Sequence, residues 1–99
     1  MMVKAVHVHK DAFHEDASSQ PGSFFVDEPD AGGVQILWYR CPCGCGAAGV
    51  LRVGNGFKPA TDKPSWSWNG STDAPTLVPS VHHVGHWHGF LTDGEWRSC

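Results

Sequence analysis

Three of the chain's four cysteines fall within the segment Cys41-Pro42-Cys43-Gly44-Cys45-Gly46, and this cluster constrains the fold more than any other feature. Side chains two residues apart point the same way along an extended chain, so a strand that ends in a tight turn can direct three sulfurs at one point. A disulfide between cysteines two residues apart would strain the backbone. The alternative of free buried thiols, packed as small hydrophobic side chains, does not explain such density. Because thiolates select soft or borderline ions, of which zinc is the usual one in small domains, the cluster predicts a Zn²⁺ site.

The remaining ligands are expected from the histidine-rich segment near the C-terminus. A closed zinc site takes four Cys or His ligands in a tetrahedron. We expect Cys43 and Cys45, beside the glycines that shape the turn, to bind the ion together with His86 and His88. Cys41 is the first alternative and would replace one histidine. Such a site would join two distant parts of the chain and act structurally.

Three other metal-ligating side chains lie in the same C-terminal part. Cys99 is either a further ligand or a free thiol at the end of the chain. His82 and His83 are adjacent, so on a strand they face opposite sides and cannot both bind one ion.

The composition indicates one small β-rich domain. The chain has 99 residues, which is the size of a single domain, 1–99. Twelve Gly and seven Pro oppose long helices and favour short strands joined by tight turns. We therefore predict an all-β or β-rich, zinc-ribbon-like antiparallel domain of several short hairpins, with roughly six to eight strands. Residues 34–99 carry the motifs, whereas 1–33 are expected to hold an N-terminal strand and loops.

Charge and hydropathy exclude two classes of partner. The formal net charge is −3, and nucleic-acid binding requires a concentrated basic surface. No apolar run approaches the roughly 20 residues of a membrane helix, and the N-terminus lacks the apolar region of a signal peptide. We therefore expect a cytoplasmic protein that binds neither nucleic acid nor membrane.

The pattern of apolar residues predicts where the strands lie. Alternation, β-branched residues and turn signals mark the strands, and the polar run Asp11 to Gly22 is predicted to be a loop with one irregular turn near Ala12 to Asp16. The predicted strands are Met1 to Lys10, Ser23 to Val26, Val34 to Arg40, Gly49 to Val53, Ser65 to Trp68, Thr76 to His83, Trp87 to Leu91 and Trp96 to Cys99. Pro79 should restrict its strand to a sheet edge or mark a bulge. Trp66 and Trp68 share one face, which favours core packing over a binding platform for a sugar or peptide.

Four motifs in a fixed order carry a resemblance to a known group of proteins. They are Cys41-Pro-Cys-Gly-Cys-Gly46, Trp66-Ser-Trp-Asn-Gly70, Pro75-Thr-Leu-Val-Pro-Ser80 and Trp87-His-Gly-Phe-Leu-Thr-Asp-Gly-Glu-Trp96. This combination resembles an uncharacterised family of small phage and prophage proteins, some of which carry the label ammonia monooxygenase. The resemblance implies zinc binding and a phage or prophage origin, and it supplies no mechanism. In relatives a cysteine often stands in the place of His86, which supports a ligand role for this position.

Three functions are compatible with a zinc site in such a chain. We favour a non-catalytic domain with structural zinc that acts through contacts with an unidentified protein, such as a host component. The alternative is a zinc-dependent hydrolase or deaminase-like enzyme, for which Asp93 and Glu95 are the acids nearest to the histidines in sequence; the sequence has neither an HExxH motif nor a deaminase signature. A nucleic-acid-binding zinc protein is the third reading. It would require Arg40, Arg52, Lys58 and Lys63 to gather on one face.

Overall fold

The computed structural model describes residues 2–15 and 20–99, in which ten short strands and one helix form two sheets. The elements are β1 Met2–Lys4, β2 Val6–His7, α1 Lys10–Glu15, β3 Ser23–Val26, β4 Val34–Arg40, β5 Ala48–Asn55, β6 Ser65–Trp68, β7 Leu77–Val78, β8 Val81–His83, β9 Trp87–Thr92 and β10 Glu95–Ser98. The β-rich class is confirmed.

The strands pair in two separate sheets. The larger sheet has the order β2-β3-β4-β5-β6-β7, and the smaller one has the order β1-β10-β9-β8. Most neighbours are antiparallel, as predicted, but β2 runs parallel to β3 and β5 runs parallel to β6. The pairing of β5 with β6 begins only at Arg52, which lies opposite Ser65.

The core lies between the sheets and is dominated by aromatic side chains. Leu37 and Tyr39 point inward from β4, and Leu91 and Trp96 point inward from β9 and β10. The rings of Tyr39 and Trp96 meet across the interface with centroids 5.2 Å apart. Trp68 is buried in the same cluster and Trp66 packs against it, so the core-packing prediction for these two indoles is confirmed.

The N-terminal segment differs from the sequence prediction. Instead of one strand from Met1 to Lys10, β1 and β2 are separated by the buried Ala5 and belong to different sheets. The predicted loop from Asp11 to Gly22 overlaps the short helix α1, while 16–19, which include the end of the predicted irregular turn, lie outside the described residues. The helix forms because Phe13, buried against the Phe25 ring, supplies an apolar anchor that the polar composition concealed.

The predicted strand from Thr76 to His83 is also divided. Pro79 carries no backbone N–H and interrupts the ladder. As a result β7 ends the larger sheet and β8 forms the edge of the smaller one, with Ser80 in the crossing between them. The predicted interruption at Pro79 is therefore a change of sheet.

The hairpin of β9 and β10 has the turn that the sequence predicts. Asp93 and Gly94 both have positive φ, 50° and 81°, as a two-residue hairpin turn requires. Among the described residues, no helix has the length and apolarity needed to cross a membrane.

We predict that the core between the sheets supplies much of the stability. Leu91→Ala removes a fully buried side chain and should lower the free energy of unfolding by about 2–5 kcal/mol. The neighbouring Phe90 is 47% exposed, so Phe90→Ala should change it by about 0.5 kcal/mol or less. Urea unfolding with an unchanged slope measures both values. Equal effects of the two changes would contradict this location of the core.

Candidate functional site

The cysteine cluster lies in the loop that joins β4 to β5. The Cys41 amide donates to the Ala47 carbonyl at 2.9 Å, and the Gly44 amide donates to the Cys41 carbonyl at 3.1 Å. Gly44 and Gly46 have positive φ, 88° and 81°, a conformation that glycine adopts without steric cost. The loop is thus folded back on itself by backbone bonds, and the cysteines lie around its bend.

Three thiols converge at this bend. The sulfurs of Cys41, Cys43 and Cys45 lie within 4.8 Å of one another, and none of them forms a disulfide. A tetrahedral ion with metal–sulfur distances of about 2.3 Å requires sulfurs nearly 4 Å apart, which this spacing accommodates. The three cysteines could therefore hold a metal ion.

The acidities of the thiols differ because their surroundings differ. Burial raises the pKa of Cys41 to about 12, with smaller effects from its neighbours. Interactions with Cys41 and Cys45 lower the pKa of the exposed Cys43 to about 7, and the His86 imidazole contributes a smaller decrease in the same direction. Cys43 is thus the thiol that most readily supplies a thiolate, and His86 is close enough to interact with it.

The position of His86 follows from a tight turn between β8 and β9. The His86 amide donates to the His83 carbonyl at 2.9 Å, and Gly85, the third residue of this turn, has a φ of 80°. That combination is characteristic of a type II turn. The turn brings His86 to within 4.9 Å of His83, measured between ring centroids. Burial, and then the charge of His86, lower the pKa of His83.

His88, the other histidine predicted to bind the metal, lies beside different partners. Its Nε2 atom is 3.2 Å from the Ser80 Oγ, and its ring lies 4.7 Å from the His82 ring between centroids. Neither His86 nor His88 falls within the compact group of three sulfurs. Cys99 is exposed and donates its backbone amide to the His88 carbonyl.

Ser80, His82 and His88 share the outer face of the smaller sheet. His82 and His88 are directly opposite each other in the register of β8 and β9, and Ser80 lies two residues before His82. Their neighbours Val81 and Trp87 point into the core. Sequence analysis missed Ser80, because a serine in a motif without a G-x-S-x-G elbow does not differ from a turn residue. Its only signals were the Pro75 to Ser80 motif and a histidine-rich segment eight residues further on.

Ser80 is held from the larger sheet by an indole. The Trp66 Nε1 atom donates to the Ser80 carbonyl at 3.0 Å. Trp66 belongs to β6 and packs against the core, so its ring has little freedom. This bond fixes the backbone of Ser80 where the chain passes between the sheets.

A hydroxyl within hydrogen-bond distance of an imidazole is the arrangement that activates a serine nucleophile. The imidazole can accept the hydroxyl proton while the oxygen attacks a carbonyl carbon. Among residues 2–15 and 20–99, no carboxylate is hydrogen-bonded to the His88 ring, so the described residues supply a dyad.

Comparison with known proteins gives one match. A family model with the description "Bacterial ubiquitination-like system serine protease (BubE)" matches residues 9–99. Comparisons with curated proteins and with solved structures give no match. The match does not test the resemblance to phage and prophage proteins, which stays a prediction.

We predict that His86, and not His88, completes the metal site. Metal-free protein titrated with Co²⁺ should develop thiolate-to-cobalt absorption and the visible bands of a tetrahedral ion. Changing a hydrogen-bonded neighbour of a metal ligand already lowers affinity by about 10- to 100-fold, so His86→Ala should lower the Co²⁺ affinity at least that much. His88→Ala is the matched control and should leave the spectrum unchanged. The reverse pattern would restore the ligand set predicted from the sequence.

Proposed function

The chain belongs to the BubE family of bacterial ubiquitination-like system serine proteases, and we propose that it is a serine protease with Ser80 as nucleophile and His88 as general base. The distance of 3.2 Å between Ser80 Oγ and His88 Nε2 carries this proposal. In the part of the chain that the structure describes, no second serine has a recorded hydrogen bond to a histidine ring. The substrate would be an amide bond in a protein of such a system.

The two side chains divide the reaction between them. Ser80 Oγ attacks the carbonyl carbon of the amide, and the hydroxyl proton passes to His88 Nε2. The C–N bond then breaks, and His88 returns the proton to the leaving amine. Water attacks the resulting ester of Ser80, again with His88 as base, and releases the carboxylic acid. His88 must be neutral at the start of each half-reaction.

We further propose that the bound metal is Zn²⁺ and that its role is structural. Three thiolates and one imidazole, from Cys41, Cys43, Cys45 and His86, are a common donor set for zinc. Four protein ligands leave no open position for a substrate or a reactive water. This assignment keeps the structural zinc predicted from the sequence and gives the hydrolytic step to the dyad instead of the metal.

The non-catalytic reading predicted from the sequence remains the competing proposal. A domain that acts only through contacts with a host protein would keep its fold and its metal, and it would have no use for a reactive serine. The exposed side chains Val78 and Val84, near Ser80 and His86, would serve such a contact. Reactivity of Ser80 therefore decides between the two.

We predict that a fluorophosphonate reagent will label Ser80. Unsubstituted protein should be labelled at this residue, as measured by peptide mass spectrometry, and Ser80→Ala should abolish labelling. Loss of a general base typically costs about 10²- to 10⁴-fold, so His88→Ala should slow labelling by that factor. Ser67→Ala and His9→Ala are the matched controls. Labelling that persists in Ser80→Ala would contradict the assignment.

A second prediction concerns Trp66 as a positioning residue. Trp66→Phe keeps an aromatic ring and removes the N–H that binds the Ser80 carbonyl. We expect labelling of Ser80 to slow by about tenfold or more, because small displacements at a nucleophile are costly. The midpoint of urea unfolding should shift by only the cost of one hydrogen bond, about 1 kcal/mol. A proportional loss of both quantities would indicate a purely structural role.

A further inference from the structure

A cleft of about 290 Å³ lies beside the proposed dyad, between the two sheets. One wall is formed by Gly49 to Arg52 of β5, and the other by His82 and His83 of β8. Trp66, which holds the Ser80 carbonyl, also lines the cleft. The cleft therefore begins where the nucleophile is anchored.

Both walls are strand edges. Consecutive residues of a strand point to opposite faces, so a cavity lined by four consecutive residues of one strand and two of another meets those strands at their edges. The topology agrees with this reading. β8 is the outermost strand of the smaller sheet, and β6 pairs with β5 only from Arg52 onward. In the described residues, Ala48 to Leu51 therefore have no strand on the side away from β4.

Unpaired strand edges present backbone N–H and C=O groups that can pair with an extended peptide. Ligand pockets typically measure about 300 Å³ or more, so this cleft fits a short segment of chain and not a folded domain. Val50, 54% exposed, provides an apolar contact at its rim.

The cleft has a positive electrostatic character in a chain of net charge −3. No carboxylate lines it, whereas Arg52 does. The Arg52 guanidinium forms no hydrogen bond or ion pair with the residues that the structure describes. An unpaired cation at the rim favours an acidic side chain on the ligand.

We propose that this cleft binds the substrate polypeptide next to its cleaved bond, as an extended strand with an acidic side chain opposite Arg52. This inference rests on the proposed protease function and names the class of its substrate. The peptide would pair with the free edge of β5 or β8 and pass its carbonyl to Ser80 at the end of the cleft.

The test is a binding selection that does not require turnover. A display library of random linear peptides is selected on the full chain carrying Ser80→Ala. Enriched peptides should share an Asp or Glu, and Arg52→Glu should lower their affinity by about tenfold or more. Lys58→Glu, which makes the same charge change at an exposed residue outside the cleft, should change it by less than about twofold.

Backbone pairing has its own signature in this experiment. N-methylation of the selected peptide should weaken binding at every second residue and spare the residues between, because alternate residues of an added strand direct their N–H groups to the edge. The absence of enriched peptides, enrichment without acidic residues, or indifference to Arg52→Glu would each overturn the proposal.

Labelling of Ser80 separates a failure of the cleft from a failure of the dyad. In the chain that keeps Ser80, Arg52→Glu should leave fluorophosphonate labelling unchanged, since Arg52 does not touch the dyad. If Arg52→Glu alters folding, Arg52→Gln replaces it, with the same labelling control and a smaller loss of affinity. Loss of labelling in the unsubstituted chain would refute the protease function, whereas a failed selection refutes only the cleft.

Discussion

The contact between the cysteine loop and the β8–β9 turn is the constraint on which the arrangement of the site depends. His86, at that turn, interacts with Cys43, and the strands on either side of it carry His82 and His88. A domain of this size buries a thin core, so packing alone holds an edge hairpin weakly. A metal ion bound at the turn would fix the hairpin to the larger sheet at one end, while Trp96 and Tyr39 hold the sheets together in the core.

The same hairpin serves stability with one face and chemistry with the other. Val81 and Trp87 point into the core, and His82 and His88 point outward beside Ser80. Because side chains alternate with a period of two, a slip of one residue in register would bury the histidines and expose the apolar side chains. The turn at Gly85 sets that register, so a structural metal at the turn also determines whether a nucleophile and a base meet.

Much of the fold could be predicted from local patterns, and the site could be predicted only where its residues are close in sequence. The cysteine loop and the β9–β10 turn follow from spacing and glycine positions alone. The change of sheet at Pro79 and the pairing of Ser80 with His88 arise from tertiary packing, which leaves no periodic signal in one sequence. His86 and His88 have the same type and spacing, so their different neighbours become visible only when the strands are paired.

A hydroxyl–imidazole pair without an orienting carboxylate has a consequence for how the proposed enzyme would work. In serine proteases the buried acid fixes the imidazole tautomer, and its removal costs about 10⁴-fold in rate. Precise positioning of the reacting carbonyl can supply a comparable factor, because it removes the entropy of bringing the groups together. In this chain the anchored Ser80 carbonyl and the adjoining cleft are the features suited to that task. Such an enzyme would be slow on peptides that do not occupy the cleft and fast on one that does, so its selectivity and its rate would have the same structural origin.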